Sequence, residues 1–351
     1  MAELDLALER FHVCGPEFAG GLSNHGPMAA EALHALGHDA LIAAWVDRYA
    51  PRLDDRTEGR PIPLEDQVRA LGGGEYGDWV ATFERALKVS PWRQVVRAWL
   101  PRLLPGFFAA ATHGPIRVAH AIRALEDAET LPRRGELAAA LGYWAWRFAR
   151  LPGEPGSGAE PGTGPSRVLA TLPIVDPERR RSGFLVDAVV ALDDEPAFAE
   201  ALAIVDLDTG VPGELLSEIC VEAAGLYLEN PSQRIAYLHG LTGPAALRLM
   251  SGHLDDAELR RGIAYAFQSL AALHATYASE GEPVGRDPEI ELLPLSWDEL
   301  RYRAACSLEE HAIKMTEACW REDRVRPDPR LRLAAADAVA NLGASRGSGR
   351  A

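Results

Sequence analysis

Apolar residues recur at helical spacing along almost the whole of this chain, and that periodicity constrains its fold more than any other feature. Met28-Ala-Ala-Glu-Ala-Leu-His-Ala-Leu reads as a helix behind a proline in its first turn. Further helix-period runs are Pro91 to Leu104, Pro115 to Ala128, Arg134 to Arg150, Gly213 to Leu228, Gly243 to Met250 and Asp255 to Ser279. Leu308 to Glu322 and Leu331 to Leu342 complete the series. Phe184-Leu-Val-Asp-Ala-Val-Val has the composition of a strand, but such runs are too few to build a sheet. The expected class is all-α, a single compact multi-helix domain over residues 1–343. The Gly/Pro/Ser-rich stretch 152–165 is expected to be a long mobile surface loop, and 344–351 a disordered tail.

The chain has 351 residues, enough to bury a sizeable core. A net charge of −15 argues against a nucleic-acid or anionic-membrane partner. The first ten residues lack the basic start and continuous apolar run of a signal peptide, and no apolar stretch is long enough to span a bilayer. Cys14, Cys220, Cys306 and Cys319 are scattered and form no C-x-x-C pair. Reduced thiols, and hence a cytoplasmic location, fit this pattern better than a zinc ribbon or a disulfide framework.

Three segments share a local pattern: Ser23-Asn24-His25-Gly26-Pro27, Thr112-His113-Gly114-Pro115 and Leu238-His239-Gly240-Leu241-Thr242-Gly243-Pro244. In each, histidine is followed by glycine, then proline, then a helix-forming run. Glycine allows close backbone approach, and proline fixes where a helix begins. The pattern predicts an imidazole held at the lip of a helix, a way to position metal ligands on backbone of restricted freedom. Read blandly, each is a loop-to-helix junction that tolerates histidine; three recurrences favour a shared task.

A fourth segment, Glu309-Glu310-His311-Ala312-Ile313-Lys314, puts His311 and Lys314 on one helix face. Lys314 is one of only two lysines, with Lys88, against 34 arginines. A buried lysine loses its proton more readily, and the neutral amine can add carbon dioxide to give an anionic carbamate ligand. Arginine stays protonated and cannot. The alternative is a helix whose His and Lys face solvent or neighbouring acids.

These pieces resemble the questin oxidase-like family. The resemblance rests on Asn24 to Pro27, Phe107 through Arg117, Leu238-His-Gly-Leu-Thr and His311 to Lys314, spanning most of the chain. It implies an all-helical oxidoreductase acting on an aromatic polyketide of anthraquinone type, with dioxygen as co-substrate. It further implies Fe(II) held by His25, His113, His239 and His311, with Lys314 as a carboxylated lysine. Some members are described as NADPH-dependent Baeyer–Villiger-type oxidases, but no dinucleotide fingerprint is visible here. Asn24, Thr242 and Glu310 are the expected hydrogen-bond partners of the imidazoles. Trp45, Trp99, Trp144, Trp146 and Trp320 are candidates for the pocket wall, though most such residues are core.

Two other readings stay open. Gly37-His38-Asp39, with His34 and Asp47, has the elements of a helical metal-dependent phosphohydrolase of the His-Asp type. Alternatively the chain is a non-catalytic helical protein that binds an aromatic ligand. His120 lies two helical turns after His113 and reads as a satisfied core histidine, whereas His12, His253 and His274 carry no pattern. Oligomeric state is not legible.

Overall fold

Prolines and capping side chains mark the start of many of these helices. Among the residues described, 2–278 and 295–342 of a computed structural model, sixteen α-helices are present. The expected tail at 344–351 lies outside them, as does Ser279. In the first half are α1 (Glu3–His12), α2 (Gly26–Ala35), α3 (Ile42–Tyr49), α4 (Tyr76–Val89), α5 (Trp92–Leu103), α6 (His113–Asp127) and α7 (Leu131–Trp146). Then come the short α8 (Pro165–Thr171), α9 (Leu185–Ala188) and α10 (Pro196–Ala203). The last six are α11 (Pro212–Glu229), α12 (Arg234–Met250), α13 (Asp256–Tyr277), α14 (Trp297–Ser307), α15 (Glu310–Val325) and α16 (Pro329–Asn341). Asp255 and Glu258 cap each other at the start of α13, and Pro27, Pro132 and Pro212 sit in first turns where a missing N–H costs nothing.

The all-α expectation holds. The one sheet among the described residues is a hairpin of β1 (Glu17–Phe18) and β2 (Leu22–Ser23), antiparallel with Glu17 opposite Ser23. The strand composition of Phe184 to Val190 was misleading: this segment forms α9 and a following 3₁₀ stretch, Val189–Asp194. Val189 packs into the core, while Val186 stays exposed. Seven helices, α1, α3, α4, α8, α9, α10 and α14, carry no expected helical run. In α4 the buried stripe is built from Tyr76, Trp79, Val80 and Phe83, weak helix formers that packing on α7 overrides.

The centre of the molecule is α12. Every residue from Ala236 to Leu247 is buried, as expected of a helix covered on all sides. It packs against α6, α11, α13 and α15. Here the sequence reading needs correction: the helix does not begin at Gly243 but nine residues earlier, and runs through Pro244. The burial of this whole face outweighs the hydrogen bond that Pro244 removes. The 152–165 stretch runs along the surface with backbone N–H groups of Gly156, Gly158 and Glu160 bonded to the carbonyls of Leu202, Ala203 and Ile204. Helices from before and after it pack on one another, α2 on α15 and α6 on α12.

A buried lattice of ion pairs joins these same helices. Arg123 of α6 bonds both oxygens of Glu31 on α2, at 2.7 and 2.6 Å, and also reaches Glu317 on α15. Arg321 of α15 donates to the Ala245 carbonyl of α12 at 2.7 Å, and Arg248 of α12 pairs with Glu322 of α15. Among the described residues, no helix is long and apolar enough to cross a membrane.

Candidate metal centre

The four histidines singled out by the sequence converge. His25 is the residue before α2, His113 opens α6, and His311 is the second residue of α15. His239 departs from the expected placement: it projects from the middle of α12 rather than from a helix lip, because that helix continues through Pro244. The His25 and His113 Nε2 atoms are 2.9 Å apart, and those of His113 and His239 are 3.1 Å apart. The His311 ring lies 4.8 Å from that of His25 and 5.9 Å from that of His239, centre to centre.

Local backbone explains the approach. Before His113 the chain makes three successive left-handed residues, Ala110, Ala111 and Thr112, with φ of 50°, 53° and 70°. Such a run is costly for L-residues lacking glycine, about 1–2 kcal/mol each. It aims the Ala110 carbonyl at His113 Nδ1, 2.5 Å away. The glycines of the motif act by closeness of packing: a Cβ at Gly26 would run into the Phe11 ring, and one at Gly240 would stand 2.8 Å from a methyl of Leu270.

Protons can be assigned from these contacts. A carbonyl only accepts, so Nδ1 of His113 is protonated, and so is Nδ1 of His239, 2.6 Å from the Ile235 carbonyl. Burial, and then the neighbouring His239 and Lys314, holds His113 well below its ordinary pKa. Burial, then Lys314, lowers His239 to about 3. Both rings are therefore neutral near pH 7, with bare Nε2 lone pairs facing each other across 3.1 Å and no proton between them. His311 donates from Nδ1 to Glu309 at 3.0 Å, so in the neutral ring Nε2 is the lone-pair atom too. His25 is likewise lowered, by burial first and Lys314 second, and its Nδ1 has no partner among the described residues. With its proton on Nε2 it bridges to His113; with the proton on Nδ1, all four Nε2 atoms are electron-pair donors.

This donor set fits a metal ion. With metal–nitrogen bonds of roughly 2.1 Å, two imidazole nitrogens at right angles stand about 3.0 Å apart, as the two Nε2 pairs do. The three nitrogens form a row through His113 rather than a closed triangle. The group of three His, Cys, Asp or Glu donor atoms mutually within 4.8 Å among the described residues is instead Glu309, Glu310 and His311. One ion touching all four imidazoles would draw the ends of the row together.

Lys314 is 1% exposed, and its Nζ has no hydrogen-bond partner among the described residues. Burial lowers its pKa to about 8, against the pull of Glu310 and Glu309 in the other direction. An unpartnered buried ammonium is expensive, and neutral amine is the form that relieves the expense.

The carboxylate bonded to His311 is Glu309, one residue before the expected Glu310. Glu309 Oε2 also caps α15, accepting from the His311 and Ala312 N–H groups at 2.9 and 2.8 Å. Glu310 lines the cavity and faces Arg52 at 3.4 Å. Asn24 bonds Gly15 and Gly26, fixing the loop rather than an imidazole, and Thr242 bonds its own helix at Leu238. No sequence signal could reveal the Ala110 and Ile235 carbonyls, since every residue carries one.

The four imidazoles open on a cavity of about 920 Å³ walled by Phe18, Phe108, Trp146, Phe148 and Phe184. Of Trp45, Trp99, Trp144, Trp146 and Trp320, Trp146 alone lines it; Trp45 and Trp144 are core, bonded to the Gly26 and Gly106 carbonyls. His120 is tied to Glu31 at 2.5 Å. His34 pairs with Asp39 at 2.7 Å, while the His38 ring faces Tyr302. Compared with known proteins, no family model matches the chain and no curated protein matches it.

Proposed function

We propose that this protein is a mononuclear non-haem iron oxygenase acting on a planar aromatic molecule of anthraquinone-like type. His25, His113, His239 and His311 are the imidazole ligands, and carboxylated Lys314 is the anionic one. The observation that carries the reading is the pair of bare Nε2 atoms of His113 and His239 facing each other at 3.1 Å, a repulsive contact that a cation turns into a favourable one. Imidazole suits iron, zinc, copper and nickel alike. Iron is preferred on the family resemblance and on the aromatic cavity that the imidazoles face. The bound ion would supply activation of dioxygen.

The chain's own residues do the rest. Carbonyls of Ala110 and Ile235 and the Glu309 carboxylate hold the imidazole orientations. The neutral Lys314 amine adds carbon dioxide, forming an N–C bond and releasing one proton, to give the carbamate. The aromatic walls orient a flat ring and keep water from it. Ring cleavage that places both oxygen atoms in the product would draw its electrons from the substrate and need no NADPH.

The test is metal analysis by mass spectrometry on untagged protein purified without chelator, beside a His113→Ala control. Near-stoichiometric iron that falls in the control supports the oxygenase, and oxygen uptake with anthraquinones is the next assay. No metal in either sample after anaerobic Fe(II) loading overturns it in favour of a helical aromatic-ligand binder. Lys314→Arg with normal iron content would remove the carbamate alone.

A further inference from the structure

One wall of the cavity carries a hydrogen-bond chain whose protons can be counted. The hairpin register sets Glu17 of β1 opposite Ser23 of β2, and both line the cavity. Between them stands the hydroxyl of Tyr143 from α7, a residue with no exposed surface, 2.7 Å from Ser23 Oγ and 3.0 Å from Glu17 Oε1. Arg147, one helical turn on, donates Nε to Glu17 Oε1 at 2.7 Å and Nη2 to Oε2. A carboxylate gripped on both oxygens by a guanidinium is ionised, and an ionised carboxylate only accepts.

The directions then follow. Tyr143 has one proton, and Glu17 takes it. The phenol oxygen therefore accepts from Ser23, which commits the one proton of Ser23. Ser23 Oγ keeps its lone pairs, and among the described residues no group donates to them. The chain from Ser23 to the ionised carboxylate polarises each link in the same sense, strengthening Ser23 as an acceptor.

We propose that Ser23 is an acceptor-only recognition point that selects aromatic ligands bearing an O–H or N–H, with Tyr143 and Glu17 as its positioning residues. An ether or carbonyl oxygen presented there meets lone pairs with lone pairs. Ser23 is two residues from His25, so a ligand docked by its hydroxyl lies beside the imidazoles, between walls such as Phe18 and Phe184. The inference rests on the reading of this cavity as an aromatic-substrate site, but it does not require the iron.

The test measures binding of β-naphthol and of its O-methyl ether to the full chain by fluorescence titration, under dinitrogen, before and after chelator treatment. Wild type should prefer the naphthol by about tenfold, the value of one hydrogen bond. Ser23→Ala should bring the ratio near unity by weakening the naphthol. Tyr143→Phe keeps the shape of the wall and frees the Ser23 proton to donate, so the ether should gain affinity and the ratio should narrow to about twofold. An unchanged preference in both variants, no preference in wild type, or no binding of either probe overturns the proposal. Preference that survives chelation while iron analysis fails would leave Ser23 standing and remove the oxygenase; the converse result would do the opposite.

Discussion

Two clusters of buried titratable side chains join the same four helices, and they obey opposite rules. In the lattice of Glu31, Arg123, Glu317, Arg321, Glu322 and Arg248, cations and carboxylates alternate. Burial alone would raise the Glu31 pKa, but Arg123 and His120 bring it down to about 2. In the imidazole cluster no carboxylate stands between the rings. His25, His113 and His239 are held low by burial, two lone pairs face each other, and Lys314 Nζ and His25 Nδ1 have no partner among the described residues. Complete pairing marks a structural element that needs nothing further. Buried electron-pair donors without acceptors mark a site that is completed by what it binds.

The difference can be broken experimentally, most severely at the lattice. Arg123→Met leaves Glu31 and Glu317 buried without their shared cation and should cost about 3–5 kcal/mol in urea unfolding. A loss below about 1 kcal/mol would place the lattice among weakly contributing pairs.

The next effect is a pH slope. Between about 8, the folded pKa of Lys314, and its ordinary 10.5, the unfolded chain holds a proton that the folded chain has released. Stability of the metal-free protein from this group therefore rises with pH across that window and falls as pH drops toward 8, by on the order of 3 kcal/mol in total. Urea unfolding at several pH values should show this component disappear in Lys314→Met.

A smaller gain is expected at the left-handed turn. Ala111→Gly removes a Cβ from backbone at φ 53° and should stabilise the metal-free protein by about 1 kcal/mol, read as a rise in Tm. Smallest is His113→Ala: a neutral ring on a cavity wall has no paired charge to lose, so metal-free stability should change by less than about 1 kcal/mol. A loss as large as that of Arg123→Met would erase the distinction between the clusters.

How far the sequence spoke depended on whether the information was local. Helices with strong apolar periods, such as Trp92–Leu103 and Pro212–Glu229, were legible to within a residue or two. The His-Gly-Pro junctions gave His25 and His113 because loop-to-helix chemistry is written in adjacent residues. His239 was legible as a residue but not in its setting, since Pro244 reads as a helix start and only burial on every side carries α12 through it. Glu309 was missed by one position because a cap depends on where the helix begins. The lattice was invisible: Glu31 and Arg123 are 92 residues apart, and nothing local to either pairs them.

The close fit of Gly26 to Phe11 and of Gly240 to Leu270 has a consequence for how the chain tolerates substitution. Neither glycine is a candidate ligand, yet each sits beside one in sequence, so a side chain there displaces the adjacent imidazole as it makes room. In a saturation library scored separately for abundance and for metal retention, positions 26 and 240 should fall with the histidines on the second score, including among variants that keep their abundance. A ligand map drawn from such a screen would thus contain residues that never touch the ion.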